Sequence, residues 1–189
     1  GKASPGCELR IISEDLKELP AGEIGEIVGR SGAMMRSYYK REDKTSELLW
    51  TSAEGEVFYR TGDMGRLDED GFLSVLDRRK DMIISGGFNV YAEDLEKVLL
   101  KDDEVVDAAV IAVPSEQWGE TPLGLVVLRD GSGGDLEAIR ERANQQLGKG
   151  QRLSGLERRD ELPRSTIGKI LKRELRDPYW KDLEQSKRD

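Results

Sequence analysis

A run of five charged residues, Asp77-Arg78-Arg79-Lys80-Asp81, separates two stretches whose hydrophobic patterns ask for different architectures. Before it, apolar residues fall in short segments at 8–12, 24–30 and 57–60. Turn chemistry bounds them, as in Leu19-Pro20-Ala21-Gly22 and in Thr61-Gly62-Asp63, which reads as a tight turn at a strand end. Residues 65–67 and 72–76 flank Asp68-Glu69-Asp70-Gly71, whose Asp-Gly pair marks a hairpin. The polar stretch 39–49 has room for one helical turn. Short strands at this spacing predict part of a β-barrel or sandwich.

Beyond the charged run the period changes. Segments 82–84 and 88–91 flank Ser85-Gly86-Gly87 as a second hairpin. Within 93–101, Leu95, Val98 and Leu99 stand at helical spacing. Residues 105–113 and 123–128 read as mostly apolar strands. Asp135 is placed to cap a helix whose apolar face is Leu136, Ile139, Ala143 and Leu147. Residues 168–176 predict a final short helix, and Asp130-Gly131-Ser132-Gly133-Gly134 a flexible connector. Strands mixed with helices make this second part α+β.

Residue types exclude several chemistries. The 189-residue chain has no histidine, so a Ser-His-Asp triad, a histidine-bound metal and an imidazole acid or base cannot arise within it. Cys7 is the lone cysteine, which excludes an internal disulfide and fits a reducing compartment, hence an expected cytoplasmic location. The longest apolar run, 108–113, is far short of the ~20 residues of a membrane span, and the first residues show no signal segment. Thirty basic against 38 acidic residues leave a net charge of −8, which argues against a general nucleic-acid binder. The charge is uneven: residues 151–189 carry a net positive charge and the remainder a strongly negative one. A solvated basic helix accounts for most of that excess. One or two of those cations remain available to meet a phosphate.

Four places carry candidate chemistry, each with a plainer reading beside it. The Asp63 carboxylate can accept from two vicinal hydroxyls such as those of a ribose, or simply cap its own turn. Arg78 offers a planar fork of donors, or makes a surface ion pair. Gly86-Gly87 permits close approach of a ligand to the backbone, or only a hairpin turn. Lys169 follows a glycine in Leu162-Pro163-Arg164-Ser165-Thr166-Ile167-Gly168-Lys169, where a long ammonium reaches a phosphate or carboxylate, or stays in water. The segment is no phosphate-binding P-loop: Pro163 stands where that motif has glycine, and Ile170 where it has Ser or Thr.

Taken in order, three segments change the reading. Tyr59-Arg60-Thr61-Gly62-Asp63, the stretch from Asp77 through Ser85-Gly86-Gly87-Phe88-Asn89-Val90-Tyr91, and Leu162 through Ile170 resemble the adenylate-forming superfamily. That superfamily holds acyl-CoA synthetases, peptide-synthetase adenylation domains and beetle-type luciferases. Gly22-Glu23-Ile24-Gly25-Glu26-Ile27 and Tyr38-Tyr39 resemble it as well. Phe88 departs from the Glu common there, and Ala92 from the Pro.

The resemblance implies an α+β fold. A β-rich subdomain over 1–77, part of a distorted β-barrel, ends a larger domain. A small mobile C-terminal α+β domain follows over 78–189, hinged about 78–81. It implies two reactions: a carboxylate attacks ATP to give acyl-adenylate and pyrophosphate, then a thiol, usually that of CoA, displaces AMP. Asp63 matches the aspartate that holds both ribose hydroxyls, and Arg78 the arginine near the ribose. Lys80 matches the hinge residue. Lys169 matches the lysine that bridges the acyl carboxylate and the nucleotide. Gly87 matches the glycine beside the pantetheine tunnel.

The phosphate loop, acyl pocket, adenine segment and Mg2+-binding glutamate of such enzymes lie upstream of the residues matched here. The expectation is therefore the back portion of a longer ligase for a fatty or aromatic acid, inactive alone and without a metal ligand of its own. Its partners would be the rest of the large domain, a carboxylic acid, ATP and CoA, and an exposed apolar face could pair two copies as a homodimer. The alternatives are a non-catalytic binding or regulatory module and an adenylation domain that loads a carrier protein.

Overall fold

The structure, a computed structural model, describes residues 1–186 and divides into two units, one ending at Lys80 and the other beginning at Asp81. The fold is α+β. In the first unit, β1 (Cys7–Ile12), β2 (Gly25–Ser31), β3 (Leu49–Thr51), β4 (Val57–Leu67) and β5 (Leu73–Arg78) form one antiparallel sheet, with the short helix α1 (Glu42–Glu47) before β3. β4 is long because it serves two neighbours in turn: Val57 to Tyr59 pair with β3, and Asp63 to Leu67 with β5. Its other edge pairs with β2. Ile12, Val28, Trp50 and Phe58 make the core, with the Trp50 and Phe58 rings 5.4 Å apart and the Trp50 indole donating to the Leu16 carbonyl at 2.8 Å.

The tight turn expected at Thr61-Gly62-Asp63 is absent, and β4 runs straight through it. Gly62 takes a φ of +73°, which only glycine adopts without strain. The Thr61 hydroxyl donates to the Ile27 carbonyl at 2.8 Å and accepts the Asp63 N–H at 3.1 Å, which keeps the backbone satisfied across this irregular point. Local turn residues are thus overridden by pairing on both sides of the strand. Asp63 lies inside β4 rather than at a strand end.

The second unit is a sheet covered on both faces. Its strands are β6 (Ile83–Ser85), β7 (Phe88–Val90), β8 (Val105–Ser115), β9 (Gly119–Leu128) and β10 (Gly155–Arg158), in the order β10-β9-β6-β7 with β8 on β9. Only β10 pairs in parallel, and the crossover to it contains helix α3 (Leu136–Gln146). Alternate residues of β8 face opposite ways. Ala108, Val110 and Ala112 join the core with helix α2 (Ala92–Leu99) and α3, while Ala109 and Ile111 join the one with helix α4 (Lys172–Ser186). Burial on both faces is why 108–113 reads as an unbroken apolar run. Asp135 caps α3 as expected, accepting from the Glu137 and Ala138 N–H groups at 3.1 Å.

The predicted helix over 168–176 begins late. Residues 164–170 form a bridged loop, Gly168 has a φ of +81°, and the Leu171 N–H donates to the Pro163 carbonyl at 2.8 Å. Helical geometry starts only at Lys172, whose ammonium pairs with Glu96 of α2 at 2.8 Å. The same Glu96 accepts the Val110 N–H at 2.7 Å, so one carboxylate joins α2, β8 and α4. The helix then continues past Pro178, which lacks the N–H for the Glu174 carbonyl. Contacts outside the helix compensate: Trp180 donates to the Ala112 carbonyl at 3.0 Å, and the Tyr179 hydroxyl to Glu157 at 2.7 Å. Among the described residues no helix is long and apolar enough to cross a membrane.

Arg142 of α3 bonds Asp102 at 2.7 Å and Glu104 at 2.9 Å, just before β8. Its guanidinium holds the Asp102 carboxyl below the usual aspartate value. A carboxyl depressed by folding adds stability above its unfolded value near pH 4, and this is lost as pH falls through the folded one. Arg142→Ala is therefore expected to lower the melting temperature at pH 7 and to weaken its decline between pH 5 and 2, read by scanning calorimetry.

Candidate functional site

Each unit contributes its own set of polar groups. In the first, Asp63 on β4 stands directly opposite Arg78 on β5, and the Arg78 Nε meets one Asp63 carboxylate oxygen at 2.9 Å. Two residues that the sequence singled out separately therefore sit as a cross-strand pair. Both remain accessible, Asp63 at 33 % and Arg78 at 53 % of the side chain. Among the described residues, the second Asp63 oxygen and the two terminal guanidinium nitrogens have no other partner. Both acceptor and donor capacity are thus left for a ligand. The plain reading of Arg78, a surface ion pair, is also met here, with Asp63 as its partner.

Glu26 of β2 supports this edge. It is 7 % exposed and accepts from Arg60 at 2.6 Å and from Arg79 at 3.2 Å. Two guanidinium groups around one buried carboxylate satisfy a charge that would otherwise be costly to bury. Arg79 and Lys80 lie in a short 3-10 helix that follows Arg78. The sequence reading placed a boundary after Asp77; β5 runs on through Arg78, and the first unit ends with Lys80.

In the second unit the β6–β7 turn has φ of +56° at Gly86 and +84° at Gly87, the left-handed pair that a two-residue hairpin turn requires. The Gly86 N–H donates to the Trp118 carbonyl at 3.1 Å, and a Cβ at position 86 would lie 2.7 Å from the Trp118 ring. Trp118 and Phe88, both exposed, line an open groove of about 590 Å³ together with Lys149, Arg152 and Ser154. The sequence reading missed Trp118, Lys149 and Arg152. They come from separate segments, and only the folded sheet makes them neighbours.

Lys169 projects from the loop before α4. It is exposed, and among the described residues its ammonium makes no ion pair. Its backbone is held: the Ser165 N–H donates to the Lys169 carbonyl at 2.8 Å, and the Lys169 N–H to the Ser165 hydroxyl at 3.2 Å. A fixed root under an unpaired cation suits a charge that must meet an anion from elsewhere. Among the described residues no group of three or more His, Cys, Asp or Glu side chains could hold a metal ion.

The model of the AMP-binding enzyme C-terminal domain matches residues 94–169. The 2-succinylbenzoate–CoA ligase of Geobacillus kaustophilus is 41 % identical over 176 residues, which is 93 % of this chain and 35 % of that protein. The chain belongs to the adenylate-forming superfamily. A long-chain-fatty-acid–CoA ligase of Escherichia coli is 38 % identical over 178 residues, 94 % of this chain and 30 % of the relative. The crystal structure of ATP-bound MatB from Rhodopseudomonas palustris aligns with a TM-score of 0.86 at 36 % identity, over 95 % of this chain and 35 % of that one. The chain thus spans about a third of the length of the superfamily members it matches. That third is their C-terminal portion.

The tight packing at Gly86 gives a direct check. Gly86→Ala adds a methyl group against the Trp118 ring at a left-handed backbone position. It is expected to shift the tryptophan emission and to lower stability by about 1–3 kcal/mol in denaturant unfolding.

Proposed function

We propose that this chain is the C-terminal portion of an ATP-dependent acid–CoA ligase that forms an acyl-adenylate and then an acyl-CoA thioester. The carboxylic acid would be fatty or aromatic, as in the two named ligase relatives. The observation that carries the reading is Lys169, an ammonium without an ion-pair partner among the described residues, on a loop whose backbone is fixed. In adenylation two anions must approach each other. A cation placed between them offsets their repulsion as charge develops. Asp63 would accept the ribose hydroxyls through its open oxygen, and Arg78 would donate to the nucleotide through its terminal nitrogens. Lys80, at the end of the first unit, is the assigned pivot, and a cytoplasmic location accompanies the reading. Magnesium and the triphosphate would be held by the remainder of the longer enzyme, so the chain alone is expected to be inactive.

The groove beside Gly87 favours CoA over a carrier protein as thiol acceptor. The aromatic faces of Trp118 and Phe88 suit an adenine, and Lys149 and Arg152 suit its phosphates. Gly87, with open space where a side chain would stand, would let the pantetheine arm pass close to the backbone.

Two measurements on an enzyme carrying this chain as its C-terminal portion check the reading. Lys169→Ala is expected to reduce adenylate formation by about 100-fold or more, while thioester formation from supplied acyl-adenylate survives; equal loss of both steps would remove the assigned role. Trp118→Ala is expected to raise the KM for CoA about tenfold with adenylation unchanged. An unaltered KM for CoA would shift the reading toward a carrier-protein acceptor.

A further inference from the structure

The loop that presents Lys169 is bonded almost wholly to itself. Arg164 bridges to Ile170, the Gly168 N–H donates to the Ser165 carbonyl at 2.8 Å, and Ser165 and Lys169 exchange the bonds described above. Its tip is not anchored by burial, because Ile167 is 77 % exposed. Among the described residues, Arg164 makes the one polar link from this loop to another element. One terminal nitrogen donates to the Gly168 carbonyl at 2.7 Å and the other to the Asp107 carboxylate at 2.5 Å. Asp107 sits on β8 with its other oxygen accepting the Ala108 N–H at 3.1 Å, so the acceptor is itself fixed to the sheet.

We propose that Arg164 is a positioning residue for Lys169, and that Asp107 is its fixed point on the sheet; the proposal rests on the ligase reading above. An exposed ion pair of this kind adds little stability, so its geometry is the more informative property. The guanidinium is a rigid fork, and its two arms join the sheet to the peptide that leads into Lys169. That peptide begins at Gly168, the residue with the widest backbone freedom, in a left-handed conformation. Without the fork, nothing polar outside the loop would set the direction in which the lysine stem leaves it. The reaction asks for that direction, because a misplacement of about 1 Å can cost about 100-fold in rate.

The test uses an enzyme carrying this chain as its C-terminal portion, with the two half-reactions measured separately. Arg164→Ala is expected to lower the kcat of adenylation about 10- to 30-fold, with KM for ATP and acid within about twofold. Thioester formation from supplied acyl-adenylate should stay at the parent rate, which also reports that the variant is folded. Arg164→Lys, able to serve one acceptor at a time, is expected to lose about three- to fivefold of adenylation alone. In a Lys169→Ala background, Arg164→Ala should cost nothing further, as required of a residue that acts through the lysine. An equal loss in both half-reactions, or a full additional loss in that background, would overturn the proposal. Parent-like adenylation in Arg164→Ala beside a collapsed Lys169→Ala would overturn the proposal and leave the ligase reading standing. Unimpaired adenylation in Lys169→Ala would overturn both.

Discussion

Burial of both faces of β8 and β9 is the constraint on which the second unit depends. A stretch such as 108–113, apolar at every position, cannot stay in water on either side, so helices must cover both. α2 and α3 take one face and α4 takes the other. Leu162 and Leu175, before and after the Lys169 loop, are both drawn into the α4 face. The loop runs between two buried points, which leaves Ile167 and Lys169 at the surface. A packing requirement thus decides where a cation ends up.

The first unit works by strand register. Asp63 and Arg78 are fifteen residues apart in sequence, and a β-hairpin makes them direct neighbours. Cross-strand opposite charges stabilise such a pair modestly. The greater effect is alignment, since the pleat of two adjoining strands sets both side chains on one face. The left-handed Gly62 and the Thr61 hydroxyl let β4 continue to Asp63 without leaving the sheet.

Much of this was legible in the residues. The hairpins at 68–71 and 85–87 and the cap at Asp135 follow from local turn and capping chemistry, which acts over a few residues. The errors arose where distant partners decide. Thr61-Gly62-Asp63 has turn composition, yet pairing of its flanks with β2 and of Asp63 with β5 keeps it within β4, with Gly62 left-handed. The helix expected from Gly168 waits for Lys172, where Glu96 of α2 supplies a counter-charge. β3 and β10, of three and four residues, are too short for an alternation to register. The groove residues Trp118, Lys149 and Arg152 carry no common motif, and their proximity is a product of the fold alone.

Arg78 and Arg79 are consecutive, and each is claimed by a different carboxylate, Asp63 for one and Glu26 for the other. Arg78 ends β5 and Arg79 opens the short 3-10 helix, so the chain is tied to two different strands immediately ahead of Lys80. The point where the chain leaves this sheet is thus tied by charge to β4 and to β2, and by backbone pairing to β4 as well.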